Sequence, residues 1–307
     1  MTEGILSRLL PFNPFGLIRQ QAFERETGNC NEGISHTGFV EVEDMASIIT
    51  LLTDFGLRDG YVASMKGVIL GINPEATPVD ISHLIPPQDV RSAAFVLFTT
   101  YEYFPDETVH LAVVDPGVGT GRRAIAVRTP SCFFVGPDNG IFSFILRKEK
   151  NSEARVLENP RFRREPVSMT FHGRDIFAPA AAYLTRGESF ESLGPVCEPV
   201  TLPWSAPVVG SRRIEGEIIH IDHFGNAITN ITLEELEEQA PAQNWAVRVG
   251  ETVVSSIYDT YGTGRPGEVL ALAGSSGFIE IAVNQGSAAD ALGLKAGFKV
   301  AIDLPGK

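Results

Sequence analysis

The sequence predicts an α/β fold: an N-terminal α/β domain with a largely parallel sheet, then a small C-terminal β-barrel domain. Three observations predict it. Between residues 48 and 114, short apolar runs alternate with segments whose apolar residues recur at helical spacing, as in sheets built from strand–helix–strand units. Residues 198–210, with Pro199, Pro203 and Pro207, read as a connection between domains. Beyond them the period changes to short strands between turns, as in small barrels. The expected limits are 45–197 for the α/β domain, 198–210 for the linker and 211–307 for the barrel.

Residues 48–53 are apolar and β-branched, which predicts a buried parallel strand. A helix follows over 59–72, with Val62, Met65, Val68, Ile69 and Ile72 on one face and a stop at Asn73-Pro74. Residues 77–81 form the second strand. Residues 90–104 form the second helix, with Ala93, Ala94, Leu97, Phe98 and Tyr101 inward and Pro105 ending it. The third strand, 109–114, delivers Asp115 at its C-terminal end. Strands 124–128 and 132–135 pair around Thr129-Pro130-Ser131, and 176–184 is a helix with an alanine-rich face. In the second domain the predicted strands are 215–221, 247–249, 252–258, 269–273, 278–283 and 299–302. Residues 1–44 lack any sustained period and read as a disordered extension or a mis-chosen start. A chain beginning at Met45 is expected to match the full one in activity and stability.

Composition excludes several function classes. The formal net charge is −13 with no Lys/Arg stripe, which argues against nucleic acid as a partner. No apolar run reaches membrane-spanning length. Cys30, Cys132 and Cys197 are far apart and odd in number, so a reducing cytoplasm is expected and no metal site.

The chemistry-bearing residues lie beside glycines at predicted strand ends. Asp54, in Thr53-Asp54-Phe55-Gly56, suits the adjacent hydroxyls of a ribose, or else caps a helix. Asp115 opens the loop Asp115-Pro116-Gly117-Val118-Gly119-Thr120, bounded by Arg122 and Arg123. That loop is expected to bring backbone N–H groups to a ligand, and the Asp–Arg pair is either functional or a plain ion pair. His172, in Phe171-His172-Gly173-Arg174-Asp175, titrates near neutrality and suits proton handling. Asp115, Arg122 and His172 together can orient and polarise a water. No serine lies in a nucleophile elbow, and one histidine among scattered carboxylates is a poor metal site. In the second domain, Asp222-His223-Phe224-Gly225-Asn226 reads two ways. Either Asp222 takes an α-amino group and Asn226 a purine edge, or the segment is a tight turn. Gly274-Ser275-Ser276-Gly277 reads first as a hairpin turn and second as a carboxylate cradle. Asn284-Gln285-Gly286-Ser287 has the same ambiguity.

These motifs, with Ile281-Ala282-Val283-Asn284-Gln285-Gly286-Ser287-Ala288, resemble the S-adenosylmethionine hydroxide adenosyltransferase family, relatives of the fluorinase and chlorinase enzymes. The resemblance covers about 48–304. It implies an α/β domain, a C-terminal β-barrel and a homotrimer with active sites between neighbouring subunits. It also implies hydrolysis of S-adenosylmethionine to adenosine and methionine, without a cofactor. The family's water-activating set falls on Asp115, Arg122 and His172, and its ribose aspartate on Asp54. Its methionine site falls on Asp222 with Ser275 and Ser276, and its adenine contacts on Asn226 and the backbone around Asn284 and Gln285. Halogenating relatives carry arginine where Ser276 stands, tyrosine in place of both Asp115 and His172, and an extra loop. Those departures favour water over halide. The competing readings are a halogenase of this family and an adenosine- or S-adenosylmethionine-binding protein without turnover.

Overall fold

A computed structural model describes residues 47–239, 245–255 and 257–304. The expectations for residues 1–44 and for a start at Met45 lie outside the described residues.

Strand β1 (Ile48–Thr53) is apolar along its length because helices cover both faces of its sheet. It is followed by α1 (Tyr61–Ile72), β2 (Thr77–Ser82), α2 (Val90–Phe98), β3 (Val109–Val113), β4 (Ala124–Arg128), β5 (Phe133–Pro137), α3 (Ser143–Lys148), β6 (Glu153–Val156) and α4 (Ala178–Thr185). Among the described residues the sheet runs β2-β1-β3-β5-β4-β6. β2, β1, β3 and β5 are parallel, and β4 is antiparallel to both β5 and β6. Alternation along β1 divides the core. Ile49 and Leu51 pack with Met65 and Ile69 of α1 and the alanines of α4. Leu52 packs with Ala93 and Leu97 of α2 and Ile145 of α3.

Local chemistry explains where helices depart from prediction. Asp89 caps α2 by accepting from the Ser92 N–H at 3.0 Å. That helix ends at Phe98 rather than 104. The Thr99 and Thr100 hydroxyls donate to the Phe95 and Val96 carbonyls at 3.1 and 2.7 Å, competing with the next helical turn. The chain continues as a 3₁₀ turn, Tyr101–Tyr103, with Tyr101 still buried. α4 begins at Ala178, two residues later than predicted, after a π-turn over Gly173–Phe177. Pro179 has no N–H for the Asp175 carbonyl, which instead accepts from the Arg164 N–H at 2.8 Å.

The second sheet contains β7 (Val208–Val209), β8 (Arg213–Ile221) and β9 (Ala227–Thr232), then α5 (Leu233–Gln239), β10 (Ala246–Val249), β11 (Thr252–Val254), β12 (Ile257–Tyr258), β13 (Val269–Ala273), β14 (Phe278–Val283), α6 (Ala288–Leu292) and β15 (Lys299–Asp303). Its order is β11-β10-β15-β8-β9-β14-β13-β12, with β7 beside β8. β11 approaches β13, so the sheet curls almost closed around Ile214, Ile218, Ile231, Val247, Ile281 and Ile302. Two departures stand out. Residues 252–258 form two strands with different partners, and β7 draws the end of the proline-rich stretch into this sheet. Phe95 of α2 and Phe144 of α3 pack on Ile219, Ile228 and Phe278, joining the two sheets.

His110, on β3, makes a prediction about acid stability. Its ring stacks on Phe134 at 5.0 Å, and its Nδ1 lies 2.8 Å from the Thr50 hydroxyl. The residue is 0% exposed, and burial pushes its pKa from 6.5 down to about 3. The unfolded chain therefore takes up a proton first as pH falls. The stability from neutral His110 is present above pH 6.5 and is lost progressively toward pH 3. One pKa unit is worth about 1.4 kcal/mol, so about 2–3 kcal/mol is lost between pH 6.5 and 4.5. Urea unfolding at the two pH values reads this loss, and His110→Gln should shrink it. An unchanged difference in His110→Gln refutes the assignment.

Candidate active site

Two parallel neighbours bring the first two carboxylates to one edge of the sheet. Thr53 on β1 is in register with Val113 on β3; Asp54 directly follows the first strand end and Asp115 lies two residues beyond the second. Ligands in open α/β sheets bind at this edge. A cavity of about 380 Å³ opens there, lined by Asp54, Phe55, Tyr61, Gln88, Asp115 and His172 among others. That is the size of a small-molecule site.

Asp115, Arg122 and His172 form one connected group. Arg122 grips Asp115 through two N–H groups, Nε to Oδ1 at 3.1 Å and Nη2 to Oδ2. The same Nη2 lies 3.0 Å from His172 Nδ1. Its guanidinium sits 5.2 Å from the Phe177 ring centroid, and Nη1 donates to the Arg123 carbonyl at 3.0 Å. The side chains of Arg122 and Asp115 are only 8% and 5% exposed, so this is a buried ion pair rather than a surface one.

The histidine tautomer follows from this contact. Arginine has donors and no acceptor, so His172 Nδ1 presents its lone pair and the neutral ring carries its proton on Nε2. Burial lowers the His172 pKa, and the Arg122 charge lowers it further. His172 is therefore a neutral donor at neutral pH. The sequence left proton acceptance to the set as a whole; with Nδ1 turned to Arg122, the neutral His172 ring offers a donor and not an acceptor on Nε2.

The glycine loop uses two of its N–H groups within itself. Val118 N–H and Thr120 N–H turn back onto the Asp115 and Gly117 carbonyls at 3.3 and 3.2 Å, so neither is free for a ligand. Gly119 has φ +74°, and a Cβ there would lie 2.4 Å from the Met169 carbonyl oxygen. Glycine is needed so that this loop can close onto the segment leading to His172. Arg123 faces elsewhere. It bonds Asp138 at 2.8 Å and the Glu198 carbonyl at 2.7 Å, tethering the proline-rich stretch.

Asp54 is not a helix cap, since α1 starts after Gly60. Its Oδ2 accepts from the Gln88 N–H at 2.8 Å, one of the roughly four hydrogen bonds a carboxylate can accept. Thr53 and Gly56 bind the opposite loop, the former to His83 Nδ1 at 2.8 Å and the latter to the His83 carbonyl at 2.8 Å. His83 Nε2 in turn lies 2.9 Å from Asp80. Tyr61 and Gln88 were missed by sequence reasoning. Each lies one residue from a helix start, Gly60 or Asp89, where a large side chain borders a strand-end cleft.

The second-domain residues do not line this cavity within their own chain. Asp222 closes a turn. Its Oδ1 accepts from Phe224 and Asn226 N–H at 2.9 and 2.8 Å, and its Oδ2 from Asn226 Nδ2 at 2.9 Å. A carboxylate accepts roughly four hydrogen bonds, so one position remains. Ser275 and Ser276 occupy the hairpin turn between β13 and β14, closed by Gly277 N–H to the Gly274 carbonyl at 2.9 Å. Asn284 Nδ2 donates to the Gly264 carbonyl at 2.7 Å, and Gln285 has φ +58°. Among the described residues no cluster of three or more His, Cys, Asp or Glu is arranged to hold a metal ion.

Comparison with known proteins gives the same picture. Residues 49–194 match the SAM hydroxide adenosyltransferase N-terminal domain, and 216–301 match its C-terminal domain. The chain is 44% identical over 259 residues to an (R)-S-adenosyl-L-methionine hydrolase of Thermus thermophilus, covering 82% of this chain and 98% of that protein. A fluorinase of Nocardia brasiliensis is 28% identical, covering 84% and 97%. A crystal structure of an uncharacterized conserved protein from Thermotoga maritima superposes with a TM-score of 0.77 at 39% identity, covering 83% of this chain and 99% of that one. Matched across both of its domains, the chain belongs to the SAM hydroxide adenosyltransferase family.

Proposed function

We propose that this protein is an enzyme that hydrolyses S-adenosyl-L-methionine to adenosine and L-methionine. The observation that carries the reading is the buried Asp115–Arg122–His172 group opening into the cavity that also holds Asp54. Water attacks C5′ from the side opposite sulfur. The C5′–S bond breaks, its electron pair stays on sulfur, and neutral methionine leaves. The attacking oxygen loses its proton to Asp115, while His172 Nε2–H fixes the water's orientation. Arg122 holds both partners in place. A sulfonium is already a good leaving group, so alignment supplies most of the acceleration and no cofactor or metal is invoked. A halide has no proton to give up and needs neither an acceptor nor an orienting donor, so this arrangement of Asp115 and His172 assists water and not halide.

Asp54 takes the ribose hydroxyls in this reading. Asp222, Asn226, Ser275, Ser276, Asn284 and Gln285 bind the amino-acid and adenine ends from a neighbouring copy, in a cytoplasmic homotrimer. Their absence from the cavity of their own chain supports this arrangement. If sites are shared, mixing inactive Asp115→Asn chains with inactive Asp222→Ala chains under subunit exchange should restore part of the activity. No recovery would argue for a site within one chain.

The direct test is incubation with each sulfonium epimer of S-adenosyl-L-methionine in ¹⁸O-water. Adenosine labelled at the 5′-oxygen is the expected product, and the relatives' names point to the R epimer. Tight binding with no product leaves a sensor. Halide-dependent formation of a 5′-halogenated nucleoside identifies a halogenase.

A further inference from the structure

Resting on that reading of the substrate, we propose that Phe55, Tyr61 and Phe171 form an aromatic seat that recognises the positive charge on sulfur. All three rings line the cavity. Their centroids are 5.9 Å (Phe55–Tyr61), 6.0 Å (Phe55–Phe171) and 5.3 Å (Tyr61–Phe171) apart, with interplanar angles of 62°, 74° and 87°. The rings pack edge to face as one cluster. Ring faces not covered by a neighbour's edge offer π-electron density to a cation in the cavity they line.

Position in the chain supports the assignment. Phe55 directly follows Asp54, and Phe171 directly precedes His172. The rings therefore line the same cavity as the residues assigned to ribose and to water, and that cavity must also hold the sulfonium. Gly173 lets Phe55 and Phe171 approach its backbone closely, since a Cβ there would meet Cε2 of both at 3.4 Å. Tyr61 is 49% exposed, an unusual place for a large ring whose only task is packing. The Arg174 guanidinium already lies 5.0 Å from the Phe171 centroid. One face of that ring is taken, so Phe55 and Tyr61 carry most of the recognition.

The seat has a kinetic consequence. Charge on sulfur disappears as the C5′–S bond breaks, and the attraction to the rings fades with it. The interaction therefore strengthens substrate binding and lowers KM, slows kcat to the extent that it fades before the transition state, and favours release of the neutral thioether product.

The test uses calorimetric Kd values in the Asp115→Asn background, where turnover is suppressed. Three ligands are compared: S-adenosyl-L-methionine, the neutral thioether lacking the sulfonium methyl, and adenosine. Tyr61→Leu and Phe55→Leu should each weaken the sulfonium ligand about 3- to 30-fold. The thioether and adenosine should stay within about twofold. Tyr61→Phe, which keeps the ring, should bind like the parent. Equal weakening of all three ligands would make the rings a platform for the nucleoside and overturn the proposal, as would no weakening in either leucine variant. Failure of the Asp115→Asn parent to bind the sulfonium at all would instead remove the substrate reading, and the seat with it.

Discussion

Asp115→Asn is expected to slow turnover about 100- to 10,000-fold, the usual worth of a general base, with KM little changed. Asparagine keeps the shape of the side chain and one oxygen facing Arg122. It removes the group that accepts the water's proton. His172→Ala should also fall mainly on kcat, because it deletes the donor that fixes the water. Arg122 bonds both residues, so the three act as a unit. The double variant should cost little more than the worse single one. A pH profile adds a sign. The His172 pKa is lowered by burial and by Arg122, so the neutral donor persists below pH 6.5 and its loss appears only at more acid pH. Near-normal turnover in Asp115→Asn, or a rate that drops at the ordinary histidine pKa, would remove this division of labour.

Much of this site was legible because strand ends are legible. The buried run before Asp54 and the one before Asp115 fix two neighbouring parallel strands, and their C-terminal edge is where a ligand must sit. The tautomer of His172 was not legible, because it depends on a contact with Arg122, 50 residues away. The packing role of Gly119 was not legible for a related reason. Gly119 answers the Met169 carbonyl, which no local pattern reveals. In the second sheet, β9 and α5 were missed although Thr232 and Glu235 form a capping box, with backbone N–H to side-chain distances of 3.2 and 2.9 Å. The signal was present in Thr232-Leu233-Glu234-Glu235 and was local. α3 carries no cap of that kind, and its short apolar stretch does not distinguish helix from strand by periodicity.

The largest expected loss of stability comes from Arg122→Met. Methionine fills similar volume and keeps contact with the Phe177 ring, but it strips the cation from Asp115, whose side chain is 5% exposed. Breaking a buried pair from one side typically costs about 3–5 kcal/mol, because the remaining charge is left unpaired away from water. An exposed pair behaves differently. Arg213 is 46% exposed beside Asp303, and its removal should cost about 1 kcal/mol or less. The combined variant Asp115→Asn with Arg122→Met leaves no buried charge, so it should recover most of the stability lost in Arg122→Met. Turnover should not return, since neither the proton acceptor nor the residue that positions it remains. Urea midpoints for the parent, both single variants and the double variant give the coupling between the two residues directly. Losses that simply add would mean that Asp115 and Arg122 are stabilised independently. The pair would then be an ordinary structural ion pair that happens to border the cavity.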